Sequence, residues 1–514
     1  MTILRRLGLF AVLAMVASPA DRSSAALGSA IIPEPEANRH GLTRPWFTQI
    51  QMDRSRARLR HVVLHEGILY AQTDRAMVHA LDAETGKTLW ARIIGRPDHP
   101  SMTPGLGRDL LAVVNGSRLY VVNRYNGDLL YEVQVGGAPG AGAAVSKKRA
   151  YVPMVDGMVM AYRLEPLTDP SRELGTAKKV LTEKEKAETE EDRRENLRLS
   201  QEYIPPLSCR SFGKALVQPL VTSQAKGEEI VVWPTDRGFL NIAKIDLMRE
   251  DVFAIKYRLE TDAGIAARPT YLPPDPDKEA ASGVIFGASR DGFVHAIEER
   301  GGQSLWRFST GEPMVQPAVV VENRVYATTQ RGGMFCLDAE TGSEIWWAPH
   351  LRQFLAASKD RVYAADSLGR ILVLRADTGA RLDAIEAAAS PIKMINSQTD
   401  RIYLASETGL VQCLHELELS EPIRHNLDRW MAAAGERLPT KFEDQTPAAG
   451  VEPGVGLPPI GGEDPLTPKG GDPLAPPARG PGDPFPPFGG GGANPDPLGG
   501  AGGDPLGGGN DPFN

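Results

Sequence analysis

Residues that could carry chemistry stand alone in this chain rather than in clusters. His79 and His295 could bind a metal through an imidazole nitrogen, but they occupy the same position in two separate copies of a repeated segment. Zinc requires several converging ligands, so we interpret both histidines as structural strand residues. The glycine-rich stretch at 136–142 lacks the Lys-Ser/Thr of a phosphate-binding loop, and neither Gly-x-Ser-x-Gly nor His-Glu-x-x-His occurs. We therefore assign no catalytic, cofactor-binding or metal-binding residue.

The three cysteines are Cys209, Cys336 and Cys413, which are too few for a disulfide framework. Cys336 and Cys413 occupy equivalent positions in copies of the repeat that are not neighbours, so a bond between them is not expected. We predict that both are small core residues, as free cysteines usually are.

One pattern recurs along the chain: a small apolar residue, a turn that closes on Gly six positions later, and Trp four positions after that. The three good copies are Ala80–Trp90, Ala296–Trp306 and Cys336–Trp346. A weaker copy, Val121–Tyr131, ends in Tyr, and Val373–Asp383 keeps the turn but loses the aromatic residue. We expect each Trp ring to lie across the contact between two structural units, where the facing small residue leaves room for it.

In most steps the small residue of the pattern returns after about 40 residues, the period of a four-stranded propeller blade. Two steps are longer, after Ala161 and before Ala296, and we attribute both to insertions. Ten residues before it stands an apolar, mostly aromatic or β-branched residue, and a turn between the two, usually with Gly, predicts a hairpin. The predicted pairs are Tyr70 and Ala80, Leu111 and Val121, Tyr151 and Ala161, Val232 and Ile242, Phe286 and Ala296, Tyr326 and Cys336, Tyr363 and Val373, and Tyr403 and Cys413. These eight units predict an all-β fold, an eight-bladed β-propeller of four-stranded antiparallel blades over residues 44–419.

The stretch Arg44–Met52 alternates apolar and polar residues and places Trp46 as in a Trp strand, without the turn that should precede it. We predict that this strand completes the last blade and closes the ring, because a propeller buries its blade faces only when neighbours pack all round.

The N-terminus has the features of a signal peptide over residues 1–20. Arg5 and Arg6 supply the positive charge, Leu7–Val16 the apolar run, and Ala17–Ala20 the small-residue cleavage site. An uncleaved membrane anchor is the alternative. We predict an extended lead-in over 21–43 and an extracytoplasmic protein, periplasmic or secreted.

Two segments interrupt the blades. Residues 166–213 are predicted as a charged insertion with a solvated helix, in which Glu190 and Arg194 can pair. This insertion is either a tolerated surface feature or an arm that binds a partner. The shorter Pro273–Ser282 is rich in Pro and Asp and predicts a loop.

Two further segments follow the last blade. A docking helix is predicted within 420–440, capped by Ser420, with Ile423, Leu427, Trp430 and Ala434 on one face. Residues 441–514 are predicted as a disordered Gly/Pro/Asp-rich tail in which Asp-Pro-Leu or Asp-Pro-Phe recurs. The tail is either a spacer or a multivalent binding motif.

The repeats resemble the tryptophan-docking repeats of pyrroloquinoline-quinone-type β-propellers. That superfamily includes quinoprotein alcohol dehydrogenases and the noncatalytic propeller of outer-membrane protein assembly. The resemblance implies, for a dehydrogenase, a disulfide of adjacent cysteines and a calcium or lanthanide site, and this chain has no adjacent cysteine pair. Asp82 and Asp338 fit turn formation better than metal binding.

We therefore predict an exported noncatalytic scaffold that binds proteins of the cell envelope, without cofactor or metal and monomeric by default. The alternatives are a periplasmic quinoprotein oxidoreductase with a divergent site and an envelope- or carbohydrate-binding module. The net charge of −8 argues against a nucleic-acid partner.

Overall fold

The computed structural model describes residues 30–166, 194–198, 204–222, 228–246, 249–278 and 281–434. The chain divides into two compact units, Met1–Thr446 and Pro447–Asn514, and all of the described residues belong to the first. The predicted signal peptide, most of the charged insertion and the predicted tail lie outside the described residues.

The described strands form eight four-stranded antiparallel sheets, which confirms the predicted eight-bladed β-propeller. Each blade is a meander in which successive strands are hydrogen-bonded neighbours, except for the last blade, which takes one strand from the N-terminus.

The strands of the first four blades are, for blade 1, β2 (Leu59–His65), β3 (Ile68–Thr73), β4 (Met77–Asp82) and β5 (Thr88–Ile93); for blade 2, β6 (Gly105–Leu106), β7 (Leu110–Asn115), β8 (Arg118–Asn123) and β9 (Leu129–Gln134); for blade 3, β10 (Ala144–Val145), β11 (Arg149–Pro153), β12 (Met158–Arg163) and β13 (Leu207–Arg210); and for blade 4, β14 (Leu220–Val221), β15 (Glu228–Pro234), β16 (Phe239–Asp246) and β17 (Arg249–Glu260).

The remaining strands are, for blade 5, β18 (Thr270–Leu272), β19 (Val284–Ala288), β20 (Phe293–Glu298) and β21 (Ser304–Ser309); for blade 6, β22 (Val319–Val321), β23 (Arg324–Thr328), β24 (Gly333–Asp338) and β25 (Glu344–Pro349); for blade 7, β26 (Leu351–Ala357), β27 (Arg361–Asp366), β28 (Ile371–Arg375) and β29 (Arg381–Ile385); and for blade 8, β30 (Ile392–Lys393), β31 (Ile402–Ala405), β32 (Leu410–Glu416) and, at its outer edge, β1 (Leu42–Gln49). The described residues also form two helices, α1 (Glu34–Arg39) and α2 (Leu427–Ala434), and residues 194–198 are helical as well.

The N-terminal strand closes the ring as predicted. β1 runs antiparallel to β32, and Trp46 pairs with Cys413. This pairing reproduces, between the two ends of the propeller, the pairing of Ala80 with Trp90 inside blade 1.

Seven of the eight predicted hairpin pairs are cross-strand neighbours in the structure, among them Tyr70 with Ala80 and Tyr326 with Cys336. In blade 2 the register differs by one residue, because the hairpin between β7 and β8 is only Gly116-Ser117 long. Val121 therefore pairs with Ala112 and not with Leu111.

The Trp residues join neighbouring blades, but by a different contact from the predicted one. Within its blade each Trp pairs with the small residue, whereas its ring lies against a Gly in the turn of the next blade. A Cβ on that Gly would lie 2.4–2.6 Å from the ring in the pairs Trp46–Gly86, Trp90–Gly127, Trp306–Gly342 and Trp346–Gly379. Each indole Nε1 also donates to a backbone oxygen three residues before the Gly, at 2.9–3.1 Å. The residue that must be small is therefore the Gly of the neighbouring blade.

Blade 4 uses a tyrosine for this joint. Tyr257 pairs with Ile242, its hydroxyl donates to the backbone oxygen of Glu298 at 3.1 Å, and its ring lies against Gly302 of blade 5. The sequence pattern missed Tyr257 because the loop and bulges of the β16–β17 hairpin lengthen its spacing from the small residue.

Blade 7 replaces the missing aromatic residue with a segment from the N-terminus. Asp383, which stands in the Trp position, accepts a hydrogen bond from His40 Nδ1 at 2.5 Å. Ile32 and Ala37, at 3% and 0% exposure, pack into the core cluster between blades 7 and 8. The predicted extended lead-in thus contains a helix, α1, that takes over a joint between blades.

Two predicted segments have different bounds in the structure. β13 begins at Leu207, inside the predicted insertion 166–213, because the outer strand of blade 3 resumes before the insertion was expected to end. The docking helix begins at Leu427, so Ser420 and Pro422 precede it and Ser420 does not cap it.

Candidate functional site

The two histidines singled out in the sequence do not form one site. His79 lies in blade 1 and His295 in blade 5, four blades away, and each is almost fully buried. Burial lowers the pKa of both imidazoles, which favours their neutral form. Among the described residues, no three His, Cys, Asp or Glu side chains converge in a way that could hold a metal ion.

The cysteines are free and buried, as predicted for Cys336 and Cys413. Burial raises the pKa of the Cys336 thiol to about 12, and the pKa of Cys413 also rises because of burial. Protonated thiols are poor nucleophiles, so the geometry favours a packing role for these side chains.

The ring has two faces of different construction. The first face carries the turns that join the first to the second strand and the third to the fourth strand of each blade. The second face carries the turns between the second and third strands and the connections from blade to blade. This follows from the antiparallel order within each blade.

A segment after the last blade, residues 419–434, runs along the inner rim of the first face; we call it the strap. Asp400 and Arg401 fix its start. The guanidinium of Arg401, which is fully buried, donates to the backbone oxygens of Leu419 and Ser420 at 2.9 and 2.7 Å. Asp400 accepts from the backbone N–H of Ile423 at 2.8 Å.

The middle of the strap contacts blades 7 and 6. His425, which is buried, donates through Nε2 to the backbone oxygen of Ala357 at 2.9 Å. The backbone N–H of Asn426 donates to Glu322 at 3.0 Å. Hydrogen bonds from His425 and from this N–H lower the pKa of the Glu322 carboxyl, although burial alone would raise it.

The end of the strap, helix α2, reaches blade 5. The guanidinium of Arg429 lies 3.4 Å from Asp275 and from the backbone oxygen of Pro273, so the start of the predicted Pro273–Ser282 loop contacts this helix. Residues 279 and 280 of that loop lie outside the described residues. Trp430 contacts the ring of Tyr271 edge-on, with ring centres 5.9 Å apart. The predicted docking of the helix on the propeller is therefore present, although 40% of Trp430 remains exposed.

The second face holds an open pocket of about 500 Å³ where blades 6, 7 and 8 meet. We call it the second-face pocket. Its polar walls come from Gln316, Arg352, Gln353, Asp366 and Lys393. Lys393 lies on the inner strand β30 with only 9% of its surface exposed, and its Nζ donates to the backbone oxygens of Ser390 and Ala387 at 2.7 and 3.1 Å.

The carboxylate in this pocket is already neutralised. Asp366 accepts from Arg370 at 2.7–2.8 Å and from the backbone N–H groups of Leu368 and Arg370 at 2.9 Å. Burial would raise the pKa of Asp366, but these hydrogen bonds lower it overall. Burial lowers the pKa of Lys393, and the field of Asp366 opposes that effect. The pocket therefore has a cationic surplus from Lys393 and Arg352.

A second pocket of about 500 Å³ lies between the outer strands of blades 1 and 2. It combines the exposed Ile93 and Leu129 with the ion pair Arg118–Glu132, whose atoms lie 2.6 Å apart. Its cations, Arg92, Arg96 and Arg118, are exposed or half-buried, whereas Lys393 in the second-face pocket is buried. Charges at the surface contribute little free energy, so the second-face pocket is the stronger candidate site.

The comparisons agree with the repeat architecture. The family described as outer membrane protein assembly factor BamB matches residues 43–166 and 290–414. No curated protein sequence matches the chain. Among the described residues, no helix is both long and apolar enough to cross a membrane.

Several solved structures are similar to this chain. BamB from Moraxella catarrhalis is 12% identical with a TM-score of 0.50, and the match covers 73% of this chain and 97% of that one. Sqt1 from Saccharomyces cerevisiae is 10% identical with a TM-score of 0.50, covering 70% and 96%. The quinohemoprotein alcohol dehydrogenase ADHIIG from Pseudomonas putida HK5 is 12% identical with a TM-score of 0.45, covering 73% and 76%. These likenesses concern the fold alone.

The blade joints pair Trp with Gly, eight blades close the ring, and two blocks of repeats match the family. The chain is therefore a PQQ-like β-propeller repeat protein.

Proposed function

We propose that this protein is an exported, noncatalytic propeller scaffold that binds other proteins of the cell envelope during outer-membrane protein assembly. The observation that carries the proposal is the match of two blocks of repeats, on both sides of the ring, to the family named for that assembly process. The signal-like N-terminus, with Arg5-Arg6 followed by the apolar Leu7–Val16, supports an envelope location.

The construction of the ring suits this role. The blades bury the small residues, the cysteines and three of the four joint Trp residues in contacts between one another, and Trp306 is half-buried. These residues therefore stabilise the ring rather than face a ligand. Function is then left to the faces and the segments that leave them, such as the strap. Propeller faces offer large, rigid surfaces to partners, and rigid partners bind without a large ordering cost.

The test is depletion of the protein in its host, with the amounts of folded outer-membrane β-barrel proteins as the readout. We expect these amounts to fall, and we expect affinity capture of the full chain to recover assembly proteins of the envelope. Unchanged β-barrel levels together with no captured assembly protein would reject the proposal.

The runner-up, a quinoprotein oxidoreductase, is tested on the purified chain. Dye-linked alcohol oxidation is measured after addition of pyrroloquinoline quinone and calcium. Turnover that depends on both additions would favour the enzyme over the scaffold. Capture on cell-wall fractions that is lost when residues 441–514 are removed would favour an envelope-binding module.

A further inference from the structure

We propose that the second-face pocket binds a carboxylate side chain from an acidic segment of a partner protein. This inference rests on the proposed scaffold function and names the chemistry by which the second face recognises its partner. Four features support it: a buried cation, a second cation in the lining, a neutralised acid and an apolar rim.

The buried cation is Lys393. An ammonium group has three donors, and two of them are used by the backbone oxygens of Ser390 and Ala387. Backbone oxygens orient the ammonium but leave its charge without a counter-ion. The acid whose field reaches it, Asp366, is ion-paired with Arg370. A buried charge without a counter-ion is costly, so a carboxylate that enters this pocket gains more than one at an exposed lysine.

Arg352 supplies the second cation. It is exposed at the start of β26, and one of its nitrogens donates to the backbone oxygen of Gln330, which fixes the direction of the side chain. Gln353 is held in turn by the backbone oxygen of Lys393 at 2.6 Å. The lining thus places positive charge on strands of blades 7 and 8, and a guanidinium can receive a carboxylate with two parallel hydrogen bonds.

The rim indicates a polypeptide rather than a free small molecule. Val315 and Leu368 line the same pocket with 38% and 66% of their surfaces exposed. Pockets for small molecules enclose most of the ligand, whereas this one is a broad depression on the face of the ring. A segment that places an acidic residue between apolar neighbours would match the cations in the pocket and the apolar rim together.

The test measures binding of two labelled peptides to the full chain by fluorescence anisotropy. One peptide alternates Leu with Glu, and its matched control alternates Leu with Gln. We expect the Glu peptide to bind roughly tenfold more tightly at low salt, since one charge-assisted hydrogen-bond pair corresponds to about that factor. The advantage should shrink as salt is added.

Three variants locate the binding. Lys393→Met keeps the apolar stem and removes the charge, and Arg352→Gln removes the exposed cation with little risk to folding. Each should abolish most of the preference for Glu. Arg331→Gln is the matched control, because Arg331 is an exposed arginine on a turn of the same face outside the pocket lining. It should bind both peptides as the unaltered chain does.

Defined outcomes would overturn the inference. Equal affinity for the two peptides would do so, as would an unchanged preference in folded Arg352→Gln and Lys393→Met chains. Glutarate that binds as tightly as the Glu peptide would assign the pocket to small carboxylates instead. If the peptide tests fail but the chain still captures assembly proteins, the assignment of the pocket is wrong and the proposed scaffold function stands.

Discussion

At the scale of single residues, the ring is held by pairs that combine an indole with a glycine. In blade 6, Trp346 is 5% exposed and donates to the backbone oxygen of Ala376, whereas the next residue, Trp347, is 50% exposed. We expect Trp346→Ala to lower the free energy of unfolding by roughly 3–5 kcal/mol, since it removes a buried ring and its hydrogen bond. Trp347→Ala, the matched control, should cost less than about 1 kcal/mol. Urea unfolding at pH 7 measures the free energy of unfolding of both variants. Equal losses would contradict the role of Trp346 in joining the blades.

Glycine at the joint can be tested separately from the strain of its backbone. Gly379 and Gly311 have nearly the same positive φ, +69° and +71°. A Cβ at Gly379 would lie 2.5 Å from the Trp346 ring, whereas a Cβ at Gly311 would meet nothing within 4 Å. Gly311→Ala should therefore cost about 1 kcal/mol of strain alone. Gly379→Ala should cost at least about 2 kcal/mol more, because the indole must move.

Comparison of the two glycine variants by thermal unfolding gives the steric part of the cost directly. If Gly379→Ala destabilised the chain no more than Gly311→Ala does, the indole of Trp346 could shift freely. The contact between blades 6 and 7 would then not depend on close packing.

Asp366 links stability to pH. Its folded-state pKa lies below the ordinary 3.8 because the hydrogen bonds from Arg370 and the backbone outweigh burial. A lowered pKa means that ionised Asp366 stabilises the folded chain fully at pH values above its pKa in the unfolded chain. This stabilisation is lost as the pH falls through the pKa of Asp366 in the folded chain. Asp366→Asn should thus cost about 1–2 kcal/mol at pH 7 and much less near pH 2–3.

Urea unfolding of the unaltered chain and the Asp366→Asn variant across this range gives the difference at each pH. A difference that stays constant down to pH 2 would mean that the charge of Asp366 contributes nothing.

At the scale of elements, the sequence was informative wherever one blade contains its whole pattern. The pairing of Tyr326 with Cys336, and of Cys336 with Trp346, follows from local spacing because each hairpin is short. Spacing failed where a loop length changed. A two-residue turn moved Val121 by one position, and a longer hairpin concealed Tyr257.

Contacts between distant parts of the chain could not be predicted in the same way. Helix α1 fills the joint of blade 7 through the contact of His40 with Asp383, which lies 343 residues away. The loss of Trp at Asp383 was visible in the sequence, but the segment that replaces it was not, since no local pattern records it. The second-face pocket is of the same kind, because its walls come from three blades.

The N-terminal elements can be removed one at a time. Removal of residues 1–29 gives the reference chain, because it leaves every described residue in place. Removing 1–41 also deletes α1, exposes the groove that Ile32 and Ala37 fill, and should cost about 2–4 kcal/mol. Removing 1–52 also deletes β1, leaves β32 as an open edge, and should unfold or aggregate the propeller.

Circular dichroism and size-exclusion chromatography of the three truncated chains provide the readout. Equal stability of the chains that begin at residues 30 and 42 would show that α1 is dispensable for the joint between blades 7 and 8.

At the scale of the whole molecule, closure of the ring packs every blade against two neighbours. The strap adds hydrogen bonds of its own to several blades. It bonds to blades 8, 7 and 6 and ends on blade 5. His425 lies at its centre and is buried against Ala357 and Glu322. His425→Ala removes this anchor, and hydrogen exchange read by mass spectrometry should show faster exchange across residues 419–434.

The same experiment separates the strap from the ring. The blade strands are held by their own ladders and by the Trp joints, so their exchange should not change in His425→Ala. Arg429→Ala is the comparison, because the hydrogen bonds of Arg429 go to Pro273 and Asp275 in the loop of blade 5, so this variant should loosen mainly α2. If His425→Ala instead speeds exchange throughout blades 5 to 8, the strap is part of the ring's cooperative core. In that case the strap would stabilise the first face and could not easily move aside when a partner binds there.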